Sequence, residues 1–115
     1  MNLAGIEDAR AGLAPAAALF RSLGDPGRLA IIQRLAQGEA RVTDLTADLG
    51  LAQSTVSKHL ACLRDCGLVD SRPDGRASIF SLTQPTLLDL LTSAEDVLAA
   101  TGNAVALCPA YGLDQ

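Results

Sequence analysis

Apolar residues recur at helical spacing in five places along the chain and switch once to a spacing of two. In residues 15–23, Leu19, Phe20 and Leu23 share one side, and Gly24 ends the run. Asp25-Pro26 restarts a helix, with a carboxylate to cap it and a proline suited to its first position. Leu29, Ile31, Ile32 and Leu35 give that helix its apolar face, and Gly38 closes it. Thr43 is the expected cap of a short third helix, with Asp44 in its first turn, where the helix dipole favours an acid. Its Leu45 and Leu49 point inward, and Gly50 turns the chain into the fourth run, residues 51–69. There Val56, Leu60 and Leu63 cluster within about 60° on a helical wheel, and Gly67 supplies a left-handed stop. Helix, glycine turn, helix is the helix-turn-helix arrangement.

After Gly67 the period changes. Residues 68–72 and 77–82 read as extended runs around Pro73-Asp74-Gly75-Arg76, and Asp-Gly between two such runs signals a hairpin. A two-stranded wing behind a helix-turn-helix predicts a mainly α, winged-helix fold. Thr83 or Gln84 then opens a last helix through about Ala100, with Leu87, Leu88, Leu91, Ala94, Val97 and Leu98 as an apolar stripe. That stripe exceeds what so small a core needs, so part of it is assigned to the interface of a homodimer. The expected organisation is an N-terminal arm (1–14), a DNA-binding and dimerisation domain (15–100) and a C-terminal tail (101–115).

Composition narrows the class. With 49% hydrophobic and 19% charged residues among 115, the chain is globular and forms one small domain. Only 3% is aromatic, so the core must rest on aliphatic side chains. A net charge of -4 and a pI near 4.7 argue against a nonspecific nucleic-acid binder, while leaving room for a local positive cluster. No run is long enough to span a membrane, and residues 1–10, with Glu7 and Asp8, lack the features of a signal peptide. Three cysteines without an export signal point to reduced thiols in a cytoplasm.

On the fourth helix, Ser54, Ser57, Lys58 and Ala61 fall opposite the apolar cluster, and Gln53 sits at the exposed start. Gln53, Ser54, Thr55 and Ser57 can reach base edges of double-stranded operator DNA, and Lys58 can neutralise a phosphate. Arg72 and Arg76 on the wing suit phosphates or a minor groove, although Asp70 and Asp74 weaken the potential there. A solvated helix face followed by a polar hairpin would show the same pattern. Ala52, at the cap position of this helix, forgoes a capping bond worth roughly 1 kcal/mol.

Leu23-Gly24-Asp25-Pro26-Gly27-Arg28, Leu49-Gly50-Leu51, Ser57-Lys58-His59-Leu60 and Leu63-Arg64-Asp65-Cys66-Gly67-Leu68-Val69 resemble, in order and spacing, the ArsR/SmtB family of bacterial metal-responsive repressors. The resemblance covers roughly residues 15–100. It implies a winged-helix homodimer joined through its first and last helices, which represses an operator until an inducer releases it. Two departures stand out: Ala52, where the family usually has a Ser or Thr cap, and the small Gly27 within Asp-Pro-x-Arg.

Two sensing sites known from the family are absent. Arg41-Val42-Thr43-Asp44-Leu45 stands where the arsenic-type site has Cys-Val-Cys-Asp-Leu. The zinc-type site on the last helix needs histidines beside Asp89, Glu95 and Asp96, and His59 is the one histidine in the chain. Cys62 and Cys66 remain. At i and i+4 they share one side of a helix and can hold one soft ion between their sulfurs; equally, they can be small half-buried residues that only pack. Cys108, beside Pro109 past the last helix, has no evident core role and can swing toward a site on its own or the partner subunit.

Together Cys62, Cys66 and Cys108 resemble the cadmium- and lead-responsive, CmtR-like branch of the family. Three thiolates suit Pb(II), while Cd(II) would welcome a fourth ligand and Zn(II), which takes four in structural sites, is the weaker candidate. His59, three residues before Cys62, is a candidate fourth ligand, but the family keeps a histidine there whatever the metal. Two other readings stay open: a redox or persulfide switch on the same thiols, and a winged helix that binds protein. No nucleophile–base pair, phosphate loop or open catalytic metal position points to an enzyme.

Overall fold

The computed structural model describes residues 9–107. Residues 9–12 are helical, and after Leu13 follow α1 (Ala14–Leu23), α2 (Pro26–Ala36), β1 (Ala40–Arg41), α3 (Val42–Leu49), α4 (Gln53–Asp65), β2 (Val69–Asp74), β3 (Ala77–Leu82) and α5 (Thr86–Ala100). This is the winged helix-turn-helix expected from the apolar pattern, with α3 and α4 as the helix pair and β2–β3 as the wing.

Several boundaries follow the expected chemistry. Asp25 caps α2, its carboxylate accepting from the Arg28 backbone N–H at 3.1 Å. Gly50 takes a left-handed conformation at the end of α3 (φ 66°). At the end of α4, Gly67 (φ 74°) lets its own N–H reach Arg64 O and the Leu68 N–H reach Leu63 O, both at 2.9 Å, which is a Schellman closure.

Others differ. α1 begins at Ala14, one residue ahead of the expected boundary, and Phe20 is 60% exposed instead of joining Leu19 and Leu23 against the core. α3 starts at Val42, so Thr43 is inside it and caps nothing; Asp44 instead reaches back and accepts from the Arg41 N–H at 3.0 Å. The hairpin turn shrinks from four residues to Gly75-Arg76, because Pro73 and Asp74 stay paired with Ser78 and Ala77. Proline is tolerated in β2 because that strand lies at the sheet edge. Thr83 does not open α5: its hydroxyl donates to Gly67 O and its N–H to Leu68 O, and the helix waits until Thr86. The sheet also has a third strand, since Ala40 and Arg41 pair with Phe80 and Ile79, giving the order β1-β3-β2.

The core lies between α2, α3, α4 and the inner face of the sheet, and α5 closes it with Leu87 and Leu91. Val56, Leu60 and Leu63 of α4 are at most 2% exposed. Their burial contributes roughly 5–9 kcal/mol, several times the roughly 1 kcal/mol forgone at Ala52. Packing, rather than capping, therefore holds the recognition helix. Among the described residues no helix is long and apolar enough to cross a membrane.

Candidate nucleic-acid interface and effector cleft

Burying one face of α4 turns its other face outward. Gln53, Ser54, Ser57 and Lys58 are exposed and Thr55 is half-buried. Ala52 is extended (φ -65°, ψ 148°) and makes no side-chain cap, so the first N–H groups of α4 are also open to an external acceptor. The wing carries charge of both signs. Arg72 donates to Glu39 Oε1 at 2.6 Å, and Arg41 pairs with Asp74. Asp70 accepts from the Ser71 N–H at 2.8 Å. Arg76, in the turn, is exposed and has no ion pair among the described residues.

Arg64 fixes the wing against α4. Its guanidinium lies 5.2 Å from the centre of the Phe80 ring and donates to Ser71 Oγ at 2.9 Å. Ser71 and Phe80 are cross-strand partners, so a single side chain grips both wing strands.

The opposite flank of the same helix end carries the thiols. Lys58, Cys62 and Cys66 follow one another at four-residue intervals, and with Arg21, Arg28 and Asp65 they line an open cleft of about 500 Å³ between α1 and α4. Both cysteines are half-buried and unoxidised. Each contacts Ser22 of α1: the hydroxyl lies 2.6 Å from Cys66 Sγ and 3.8 Å from Cys62 Sγ. Ser22 is 3% exposed, and nothing in the sequence pattern singled it out.

Arg28 ties this cleft to α4. Its Nε donates to Ser22 O at 2.6 Å and its second terminal nitrogen to Arg21 O at 3.1 Å, neutralising the end of α1. The remaining nitrogen lies 3.5 Å from His59 Nδ1, and His59 Nε2 lies 3.4 Å from Asp25 Oδ2. His59 is thus engaged at both ring nitrogens, which argues against its use as a fourth ligand. Gly27 explains itself here: a Cβ would stand 2.8 Å from His59 Nε2 and 3.0 Å from Asp25 Oδ2.

Among the described residues no three His, Cys, Asp or Glu side chains converge, so this part of the chain supplies two thiol donors to a metal and no complete site. Cys108 lies outside the described residues. The chain just ahead of it is held against α2, with Leu107 packed on the core and Ala106 O accepting from Gln33 Nε2 at 3.1 Å. A second, apolar groove of about 430 Å³ runs between α1 and α5, lined by Phe20, Leu90, Ala94, Val97 and Leu98.

Residues 25–71 match the family described as "Bacterial regulatory protein, arsR family". The chain is 37% identical over 92 residues to a probable mercury resistance operon repressor of Streptomyces lividans, covering 80% of this chain and 74% of that one. It is 40% identical over 84 residues to the HTH-type transcriptional regulator CmtR of Mycobacterium tuberculosis, covering 73% and 71%. Among solved structures it resembles the homodimeric winged helix-turn-helix DNA-binding domain Mb0332 from Mycobacterium bovis, with a TM-score of 0.70 and 28% identity over 78% of this chain and 83% of that one.

Proposed function

The chain belongs to the ArsR family of bacterial regulatory proteins, as a winged helix-turn-helix transcriptional repressor rather than an enzyme, and we propose that its effector is a soft divalent metal ion. In this reading the metal-free homodimer holds operator DNA, and Cd(II) or Pb(II) bound by Cys62, Cys66 and Cys108 releases it. Zn(II) is the weaker effector, since the chain offers three thiols and keeps its histidine occupied. The observation that carries the proposal is the cleft, where two thiols one turn apart on the recognition helix converge on one buried hydroxyl. Similarity to a protein named CmtR and to one named for mercury resistance supports the same class of ligand.

Operator contacts are assigned to Gln53, Ser54, Thr55 and Ser57 for base edges and to Lys58, Arg72 and Arg76 for phosphates. The α1–α5 groove, with Phe20 and Val97 exposed at its edge, is assigned to the subunit interface. A symmetric dimer would then set its two α4 helices about 34 Å apart, one turn of the duplex.

Three thiolates around a divalent ion leave one net negative charge in the cleft. Lys58, one turn from Cys62, would be drawn toward that charge and away from a phosphate. At about 6 Å in water this attraction is worth roughly 0.7 kcal/mol. A useful switch needs about 1–3 kcal/mol, or five- to 150-fold in operator affinity. Electrostatics alone falls short, so the tail cysteine must also shift α4 or the spacing of the dimer.

The test is a titration of Cd(II) and Pb(II) against the DNA-bound protein under reducing conditions, repeated for each Cys→Ser variant. The proposal expects a sulfur-to-metal charge-transfer band and DNA release, both lost in Cys62→Ser and Cys66→Ser and weakened in Cys108→Ser. Release that needs an oxidant or persulfide donor and no metal would make the thiols a redox switch instead. Failure to bind any duplex at low salt would turn the wing and α4 into a protein-binding surface.

A further inference from the structure

We infer that Ser22 is the positioning residue of the effector site and the connection through which α1 responds to ion binding on α4. This rests on the thiolate site proposed above and adds to it a group from a different helix. Ser22 is the one buried polar side chain among the described residues. A buried hydroxyl needs a hydrogen-bond partner, and the partners this one has are Cys66 Sγ at 2.6 Å and Cys62 Sγ at 3.8 Å.

Between two thiols, either the hydroxyl or a sulfur can donate. Metal-bound thiolates can only accept, so in the loaded site the Ser22 O–H must donate to sulfur. A neutral hydroxyl is a poor ligand for a soft ion. Its role is therefore the outer hydrogen bond that orients a ligand and strengthens its hold, here on Cys66.

The same residue has a second hold on α4. Its carbonyl accepts from Arg28 Nε at 2.6 Å, and Arg28 reaches on to His59. α1 thus grips the recognition helix through Cys66 by a side chain and through His59 by way of Arg28. α1 also carries Phe20, two residues before Ser22, which lines the groove assigned to the subunit interface. Rearranging the bonds at Ser22 acts on the helix that joins the reading head to the dimer, a coupling that a site built on α4 and the tail alone would lack.

The experiment compares Ser22→Ala, Ser22→Thr and Ser22→Cys with the wild type, using Cd(II) alone as the probe and reading both its dissociation constant and the charge-transfer band. Ser22→Ala should keep the band and bind Cd(II) about 10–100-fold more weakly. Ser22→Thr, which retains the hydroxyl, should recover to within about threefold of wild type. Ser22→Cys replaces a full O–H donor with a weak S–H one and should bind Cd(II) with an affinity between those two, its band unchanged because position 22 stands outside the ligand shell. Wild-type affinity in a folded Ser22→Ala protein, or a band raised in Ser22→Cys by a further thiolate, overturns the inference and leaves the metal-responsive reading intact. If Ser22→Ala fails to fold by circular dichroism, the Thr and Cys variants decide by the same readings. No band in the wild type would instead overturn the metal reading, and the role of Ser22 with it.

Discussion

α4 and the wing, the two elements assigned to DNA contact, present two different kinds of surface. On α4, Gln53, Ser54, Ser57 and Lys58 are exposed, and among the described residues none has an ion pair or a side-chain hydrogen bond. On the wing, Arg72 is already held by Glu39 and Arg41 by Asp74, while Arg76 stands alone at the turn. A group without an internal partner gives its full contact energy to DNA. A paired group gives only the difference between the new contact and the old one. Exposed ion pairs are worth about 0–1 kcal/mol, so prior pairing blunts the wing arginines without silencing them. The contrast teaches that discrimination should reside on the helix, with the wing adding modest, salt-sensitive affinity.

The largest expected effect tests the helix. Gln53→Ala should weaken operator binding by about 1–3 kcal/mol and leave binding to random duplex nearly unchanged. Equal losses on both duplexes would mean that Gln53 touches backbone and that the helix does not discriminate. Next, Lys58→Ala should weaken all duplexes alike and reduce the slope of log affinity against log salt by about one. Smaller differences separate the wing residues. Arg76→Ala should lower affinity more than Arg72→Ala, and Glu39→Gln should raise it by up to about fivefold by freeing Arg72. Identical results for the two arginines in a binding titration would erase the distinction drawn between them.

The smallest effect separates reading from anchoring. The Asp25 carboxyl is held below its ordinary value of 3.8 by the hydrogen bond from the Arg28 N–H, with the charges of His59 and Arg28 acting in the same direction. A carboxyl depressed in this way stabilises the fold above its unfolded value and loses that contribution as pH falls through its folded one. In thermal melts, wild type should therefore lose stability below about pH 4, and Asp25→Asn should lose less over that range. Operator affinity at pH 7 should not follow this change if the two functions are separable.

The strongest sequence signals were those that repeat or that terminate an element. Val56, Leu60 and Leu63 fixed which side of α4 is buried, and with it the identity of the exposed residues. Asp25-Pro26, Gly50 and Gly67 mark their boundaries because capping chemistry is local. Thr43 and Thr83 misled for the same reason: each looked like a cap, but a carboxylate at Asp44 and a carbonyl at Gly67 offered competing bonds. Contacts across long stretches of sequence left no pattern. Ser22 meets Cys66 across 44 positions, Arg72 meets Glu39 across 33, and β1 is too short to show alternation. Arg64 belongs to the Leu63–Val69 motif, yet its hold on Phe80 and Ser71 depends on a strand register that the motif does not encode.

The close approach of Gly27 to His59 has a consequence for both positions. The edge of the imidazole stands where a Cβ at position 27 would go, so a larger residue there requires the ring to shift and the two positions are coupled. Gly27→Ala on its own should push the ring out of its place between Asp25 and Arg28. Paired with a smaller residue at 59, the same alanine should be tolerated and should even add stability by lowering the conformational entropy of the unfolded chain. The double substitution should therefore be less harmful than the sum of the single ones. A residue larger than glycine at position 27 can therefore coexist with this histidine only if the ring takes another orientation, so the size of residue 27 sets how the imidazole faces Asp25 and Arg28.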